Sequence, residues 1–252
     1  MTIGRVALVT GAGRGIGAAC AGALSAAGHR VALLARSESD LASVSGSLPG
    51  ESMVVAADVT DPDAVEAAYA GIEAAWGPVE VLVTCAGSGA SSPLAETSDE
   101  EWSRMLELHL TAPFRCVRRA LPAMVAAGYG RIVVVASVAA KAGAPRVAAY
   151  SAAKHGALGL VRSGAAEVAR TGVTINAVCP GYVDTPMTDR SVAEIAARTG
   201  RSEDEARDVL ARQQPNRRLV TVDEVASAVM LCVDNGAING QGINVDGGAV
   251  QS

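Results

Sequence analysis

Arg5-Val6-Ala7-Leu8-Val9-Thr10-Gly11-Ala12-Gly13-Arg14-Gly15-Ile16-Gly17 decides the fold. Residues 5–10 are a nearly continuous apolar run, the pattern of a strand buried on both faces. The glycine cluster follows at once, and an Ala-rich helical stretch then runs to about Gly28. Strand, glycine-rich turn and helix, in that order, are the context a dinucleotide fingerprint requires. Gly11, Gly15 and Gly17 let the backbone turn sharply and approach a pyrophosphate. The helix start, at Ile16, would offer that anion free N–H groups and the positive end of its dipole. Residues 13–18 also fit the looser G-x-G-x-x-A form, but a strand ending at Thr10 makes the first register the more natural one.

Further strands are predicted at 30–35, 53–57, 79–83, 131–136, 173–178 and 242–245, with helical patterns between most of them. Strands that alternate with helices imply a doubly wound parallel sheet in the α/β class. No internal repeat or second domain boundary is visible, so residues 1–252 read as one domain. At the end of the second strand, an acid commonly holds the ribose 2′-hydroxyl of NAD. Here Ala35-Arg36-Ser37 stands at that place. An arginine pairs with a 2′-phosphate where an acid repels it, and Arg14 would close on the same group, so NADP(H) is expected over NAD(H). Asp58-Val59 ends the third strand, where the carboxylate would accept from an adenine amino group or cap the next helix. Thr84-Cys85-Ala86-Gly87 ends the fourth and would border the adenine ribose. Cys179-Pro180-Gly181-Tyr182-Val183-Asp184-Thr185 follows the sixth, where backbone and Thr185 would bind a nicotinamide carboxamide.

Tyr150 and Lys154 are four apart, which on a helix places both on one face. An ammonium beside a phenol favours the phenolate, so the tyrosine pKa is expected to fall. Ser137 lies just past the fifth strand, where open α/β sheets place their ligands. The trio reads as a proton-donating tyrosine, a tuning lysine and an orienting serine. An ordinary exposed i,i+4 pair is the plain alternative. A long helix is predicted from 98 to about 126, disturbed by Pro113 and Pro122. Its Leu106, Leu110, Phe114 and Val117 repeat at helical spacing and are expected in the core or at a subunit contact. Residues 187–216 are polar, charged and helical in pattern; they lack the apolar content of a core element and are a candidate substrate lid.

Half of the 252 residues are hydrophobic, 3% are aromatic and the formal charge is −5. That charge argues against nucleic acid or an anionic membrane as the main partner. No apolar run is long enough to span a bilayer, and the N-terminus lacks the layout of a signal peptide. Five scattered cysteines without metal spacing suggest free thiols in a reducing, cytoplasmic compartment. The three histidines, His29, His109 and His155, have no ligand-like spacing, so no metal is expected.

Taken together, Thr10 to Gly17, Asp58, Ala86-Gly87, Ser137, Tyr150-x-x-x-Lys154, Pro180-Gly181 and Asp246-Gly247-Gly248 closely resemble the classical short-chain dehydrogenase/reductase family. The resemblance covers essentially the whole chain. It implies a Rossmann-type seven-stranded sheet and a homotetramer with the long helices at the contacts. It also implies a mechanism: Tyr150 gives the carbonyl oxygen a proton as hydride arrives, Lys154 binds the nicotinamide ribose, and Ser137 holds the substrate oxygen. Two departures stand out. Thr84-Cys85 replaces the family's Asn-Asn, and His109 stands where the family has an asparagine that holds a water linking the lysine to solvent. An imidazole can hold such a water and titrates near neutrality. On that reading His109→Asn keeps activity and moves its pH profile; a structural histidine is the alternative. Within the family the chain is most similar to reductases of 3-oxoacyl thioesters, polyketide ketoreductases included, although Ser88-Gly89-Ala90-Ser91-Ser92 replaces a Pro-Gly-Gly frequent in the latter. The expected substrate is a 3-oxoacyl group on CoA or acyl carrier protein, with Arg198, Arg201, Arg207, Arg212, Arg217 and Arg218 facing phosphate or an acidic carrier. The alternatives are a dehydrogenase of a small secondary alcohol or hydroxy acid, resembled by residues 199–222, and a dinucleotide sensor without turnover.

Overall fold

The computed structural model describes residues 4–251. Seven strands, β1 (Val6–Thr10), β2 (Arg30–Ala35), β3 (Ser52–Ala56), β4 (Val81–Thr84), β5 (Gly130–Val135), β6 (Val173–Pro180) and β7 (Gly242–Val245), form one sheet. Their order is β3-β2-β1-β4-β5-β6-β7, and every pairing is parallel. The order reverses between β1 and β4, so a crevice opens beyond their carboxyl ends. The helices are α1 (Gly15–Ala26), α2 (Glu38–Ser47), α3 (Pro62–Trp76), α4 (Asp99–Leu106), α5 (Ala112–Ala127), α6 (Ala148–Val168), α7 (Pro186–Thr199), α8 (Glu203–Arg212) and α9 (Val222–Asp234).

Alternation along the strands supplies two cores. Leu8, Leu34, Leu82 and Ile132 face α3, α5 and α6, where they meet Tyr69, Val117 and Val161. Val9, Leu33, Val83 and Val133 face α1, α2 and α9, where they meet Leu24, Leu41 and Val229. Each fully buried Leu or Ile contributes about 1.5–3 kcal/mol by leaving water. Strands apolar on both faces are what a doubly covered parallel sheet demands.

Three elements depart from the sequence reading. Helix α2 was not anticipated: Glu38–Ser47 is Ser-rich and buries only Leu41. It forms because Ser37 caps it, accepting from the Asp40 N–H at 3.3 Å. The helix expected at 98–126 is divided, with a π-turn at Glu107–Thr111 between α4 and α5. Pro113 explains the break. It has no N–H for the carbonyl four residues back, at His109, and its ring clashes there. The wider turn shifts the register, so Val117 is buried while Phe114 is 38% exposed under the Arg118 guanidinium. The 187–216 stretch is helical as expected but has a small core of its own. Val192, Ala206 and Leu210 pack with Tyr182, Ile195 and Leu219. No helix among the described residues is long and apolar enough to cross a membrane.

Candidate active site

The glycine loop is fixed by close approach as well as by backbone angle. Gly11 has φ +70°, and a Cβ there would lie 2.7 Å from the Ala86 backbone. A Cβ on Gly17 would overlap the Gly11 carbonyl. Glycine at these two places lets β1, the turn beyond β4 and the start of α1 meet. Thr10 joins them further: its Oγ1 accepts from the Cys85 and Ala86 N–H groups at 3.1 and 3.3 Å. Arg14 precedes α1 in extended conformation and makes no capping bond, so the first N–H groups of α1, from Gly15 and Ile16 on, have no side-chain cap. Gly15 lies across from Thr185: a Cβ on it would be 3.4 Å from Thr185 Cγ2. The glycine loop and the segment after β6 therefore face each other across the crevice. This cradle fits a dinucleotide pyrophosphate, because the close approach that glycine permits leaves the uncapped N–H groups at the start of α1 facing the crevice.

At the β2 end, Arg36 keeps 79% of its side chain exposed and reaches Asp58 only at 3.9 Å. Arg14 is exposed as well. Ser37 is engaged as the cap of α2. Asp58 accepts from the Thr60 N–H at 2.9 Å and the Thr60 hydroxyl at 2.8 Å. Those bonds, led by the Thr60 backbone, hold its carboxyl below the usual range. Asp61, not Asp58, caps α3, so the capping alternative for Asp58 is set aside. Val59 is buried in the core beside it.

Ser137, Tyr150 and Lys154 come together at the end of β5. Ser137 leaves the strand extended, and its Oγ accepts from the Ala139 N–H at 3.1 Å. Helix α6 presents Tyr150 and Lys154 to it. Lys154 Nζ donates to the Val135 carbonyl at 2.8 Å and lies 5.6 Å from the Tyr150 ring centre. The Ser137 hydroxyl bonds the phenol of Tyr150. His109, projecting from the π-turn, packs edge-on against the Tyr150 ring with centres 5.0 Å apart. Cys85 is half-buried at the end of β4.

Electrostatics here correct two expectations. Tyr150 is pushed up to about 12 by burial, which outweighs the Ser137 hydrogen bond pulling it down. The lysine ammonium is turned to the Val135 carbonyl, 5.6 Å from the Tyr150 ring centre. Burial takes Lys154 down to about 8. His109 does not titrate near neutrality. Burial and then the Lys154 charge take it down to about 3, so exchange for asparagine is not expected to move an acidic limb. Burial also raises the Cys85 thiol to about 12, which makes it a poor nucleophile.

The segment after β6 carries the remaining predicted residues. Pro180 ends the strand. A Cβ on Gly181 would overlap Gln214 Oε1 and come 3.1 Å from Asp246 Cβ. Val183 is buried and bridges to Val220. Thr185 caps α7, accepting from the Thr188 N–H at 3.4 Å. Sequence reasoning missed Gln214. It is 1% exposed; its Oε1 accepts from the Tyr182 N–H at 3.1 Å and its Nε2 donates to the Tyr182 carbonyl at 3.2 Å. That amide fastens the end of the α7–α8 hairpin to the segment beside Tyr150, on which the Tyr182 phenol acts electrostatically. A glutamine inside a charged stretch gave no periodic signal. Three of the six arginines named for a carrier or phosphate are paired within the chain. Arg207 holds Asp184 and Asp189, Arg218 holds Glu224, and Arg212 meets Asp208 at 3.4 Å.

Comparison with known proteins identifies the family. A family model described as short chain dehydrogenase matches residues 5–196. A Streptomyces violaceoruber protein named for ketoacyl reduction in the granaticin polyketide synthase is 41% identical, over 96% of this chain and 92% of its own. The Escherichia coli 3-oxoacyl-[acyl-carrier-protein] reductase FabG is 38% identical over 97% of each chain. A crystal structure of an actinorhodin polyketide ketoreductase variant with NADPH superposes with a TM-score of 0.94 at 38% identity, covering 98% of this chain and 97% of that one.

Proposed function

The chain belongs to the short chain dehydrogenase family of oxidoreductases, and we propose that it reduces a 3-oxoacyl thioester, on CoA or acyl carrier protein, to the 3-hydroxyacyl product with NADPH. The observation that carries this is the joining of Ser137, Tyr150 and Lys154 at the end of β5, beside a crevice cradled by Gly11, Gly15 and Gly17. When bound, the reduced nicotinamide supplies a hydride to the carbonyl carbon. Tyr150 gives its phenolic proton to the carbonyl oxygen, and a phenol raised to about 12 still holds that proton at neutral pH. Ser137 donates a hydrogen bond to the same oxygen. Lys154, fixed by the Val135 carbonyl, has N–H donors left that would bind the cofactor ribose. Ala86, Gly87, Pro180, Gly181, Val183 and Thr185, on the segments after β4 and β6, would bind the cofactor from either side.

Arg36 and Arg14 favour NADPH. Both are exposed beyond the β2 end, where a 2′-phosphate would lie, and the Asp58 contact of Arg36 is too long to engage it fully. The α7–α8 hairpin serves as the substrate lid, held at its base by Gln214 and by Arg207. Exposed Phe114 and Trp102 on α5 and α4 suit a contact between subunits.

The test is oxidation of NADPH followed with acetoacetyl-CoA, with a simple ketone and without substrate. Turnover of the thioester well above the ketone is expected. Binding of NADPH with no turnover of either carbonyl compound overturns the reading in favour of a sensor.

A further inference from the structure

The corner where the glycine loop meets the end of β2 holds a negative charge as well as Arg14 and Arg36. Asp40, the third residue of α2, is half-buried there. A Cβ on Gly13 would lie 3.0 Å from Asp40 Cβ and 3.8 Å from its Oδ2. The same point is 3.8 Å from the Cβ of Ala35, the last residue of β2. Arg14 follows Gly13 in the chain and Arg36 follows Ala35, so the carboxylate sits at the root of both arginines. Bare backbone at Gly13 lets it come this close.

The seat of Asp40 is fixed by its backbone. Ser37 Oγ accepts from the Asp40 N–H at 3.3 Å and also meets the Ser39 hydroxyl at 3.1 Å. The Asp40 side chain does not return the bond: α8 and α9 each have a complete capping box, and α2 has only the serine half. Among the described residues the Asp40 carboxylate joins no hydrogen bond or ion pair. An acid in the first turn of a helix also answers the helix dipole, but Glu38 supplies that from an exposed position. Asp40 differs in standing against the glycine loop.

We propose that Asp40 is a specificity-determining residue of the cofactor site, whose carboxylate opposes the hold of Arg14 and Arg36 on a 2′-phosphate, so that the corner takes NADPH less exclusively than its two arginines alone would and admits NADH as well. This rests on the reading that these arginines receive the 2′-phosphate. The sign follows from like charges: the carboxylate repels a phosphate and leaves a 2′-hydroxyl alone. The acid that β2 lacks at its end is thus supplied from the first turn of the next helix.

The experiment is fluorescence titration with NADPH and with NADH, in the absence of any carbonyl compound, of wild type, Asp40→Asn, Asp40→Lys, Glu38→Gln and Arg36→Ala. The two cofactors differ only in the 2′-phosphate, so the ratio of their dissociation constants isolates the corner, and NADH binding reports that each variant is folded. Asp40→Asn is expected to raise the preference for NADPH about fivefold, the scale of one charge repulsion in water, and Asp40→Lys about 25-fold, the same step taken twice. Both gains should shrink in about 1 M salt. Glu38→Gln should change the ratio by less than about twofold. A ratio that stays level or falls in both Asp40 variants overturns the proposal. An equal gain from Glu38→Gln also overturns it, by assigning the effect to the charge of α2 at large. Arg36→Ala separates the two possible failures: it should lower the preference for NADPH, and an unchanged ratio in that variant would overturn the placing of the 2′-phosphate on which the proposal stands.

Discussion

At one end of the crevice Lys154 and His109 are buried; the Val135 and Ser88 carbonyls hold them, and the Tyr150 ring stands against His109. At the other end Arg36 stands 79% exposed, with an acid 3.9 Å away. The first end is fixed by packing, and the second by charges in water. Desolvation shifts Tyr150, Lys154 and His109 far from their ordinary values, so small changes there alter proton chemistry. Charges at the exposed end are screened and loosely held, so they choose between ligands without holding the fold together.

The largest effect expected is at the buried end. Tyr150→Phe should lower kcat by about 10³-fold, the worth of a positioned general acid, with NADPH binding unchanged in a fluorescence titration. A loss of binding in step with kcat would mean that the tyrosine holds the cofactor rather than the proton. Arg36→Asp comes next. A reversed charge at the exposed end should shift the ratio of kcat/KM for NADPH over NADH by about 100-fold, or about 2.7 kcal/mol, with the melting temperature almost unchanged. An unchanged ratio would break the contrast between the two ends.

Much of this was legible in the sequence because it depends on local order. Strands buried on both faces show as continuous apolar runs, and Gly11 and Gly17 show because no other residue fits their turns. Tyr150 and Lys154 show because helical spacing alone puts them on one face. What was hidden depends on tertiary surroundings. Helix α2 has one buried residue and therefore no stripe to read. Pro113 was visible, but not the π-turn it forces; Phe114, expected in the core or at a subunit contact, lies outward. The charge states of His109 and Tyr150 follow from burial that no spacing reveals. Gln214 is a single buried amide among charged neighbours.

Two smaller effects sharpen the comparison. Because burial lowers Lys154 to about 8, its ammonium is lost as pH rises, and reduction should fall above about pH 8. No acidic limb from His109 is expected between pH 5 and 7, since that ring stays neutral down to about 3. A limb near pH 6.5 that vanishes in His109→Asn would contradict the buried, neutral imidazole. The smallest effect is expected at Arg207, which is 35% exposed and ties α8 to Asp184 and Asp189. Arg207→Ala should cost about 0–1 kcal/mol in urea unfolding, as for other surface pairs. A much larger loss would place the hairpin with the packed end of the molecule.

Deuterium transfer tests the hydride and proton roles most directly. NADPH dideuterated at the nicotinamide C4 is incubated with acetoacetyl-CoA and enzyme, and the 3-hydroxybutyryl product is read by mass spectrometry. Wild type should place one deuterium on C3 of the product, and Tyr150→Phe should bind the same cofactor while forming almost none. A product without deuterium, or equal transfer by the phenylalanine variant, would contradict hydride reduction with Tyr150 as the proton donor.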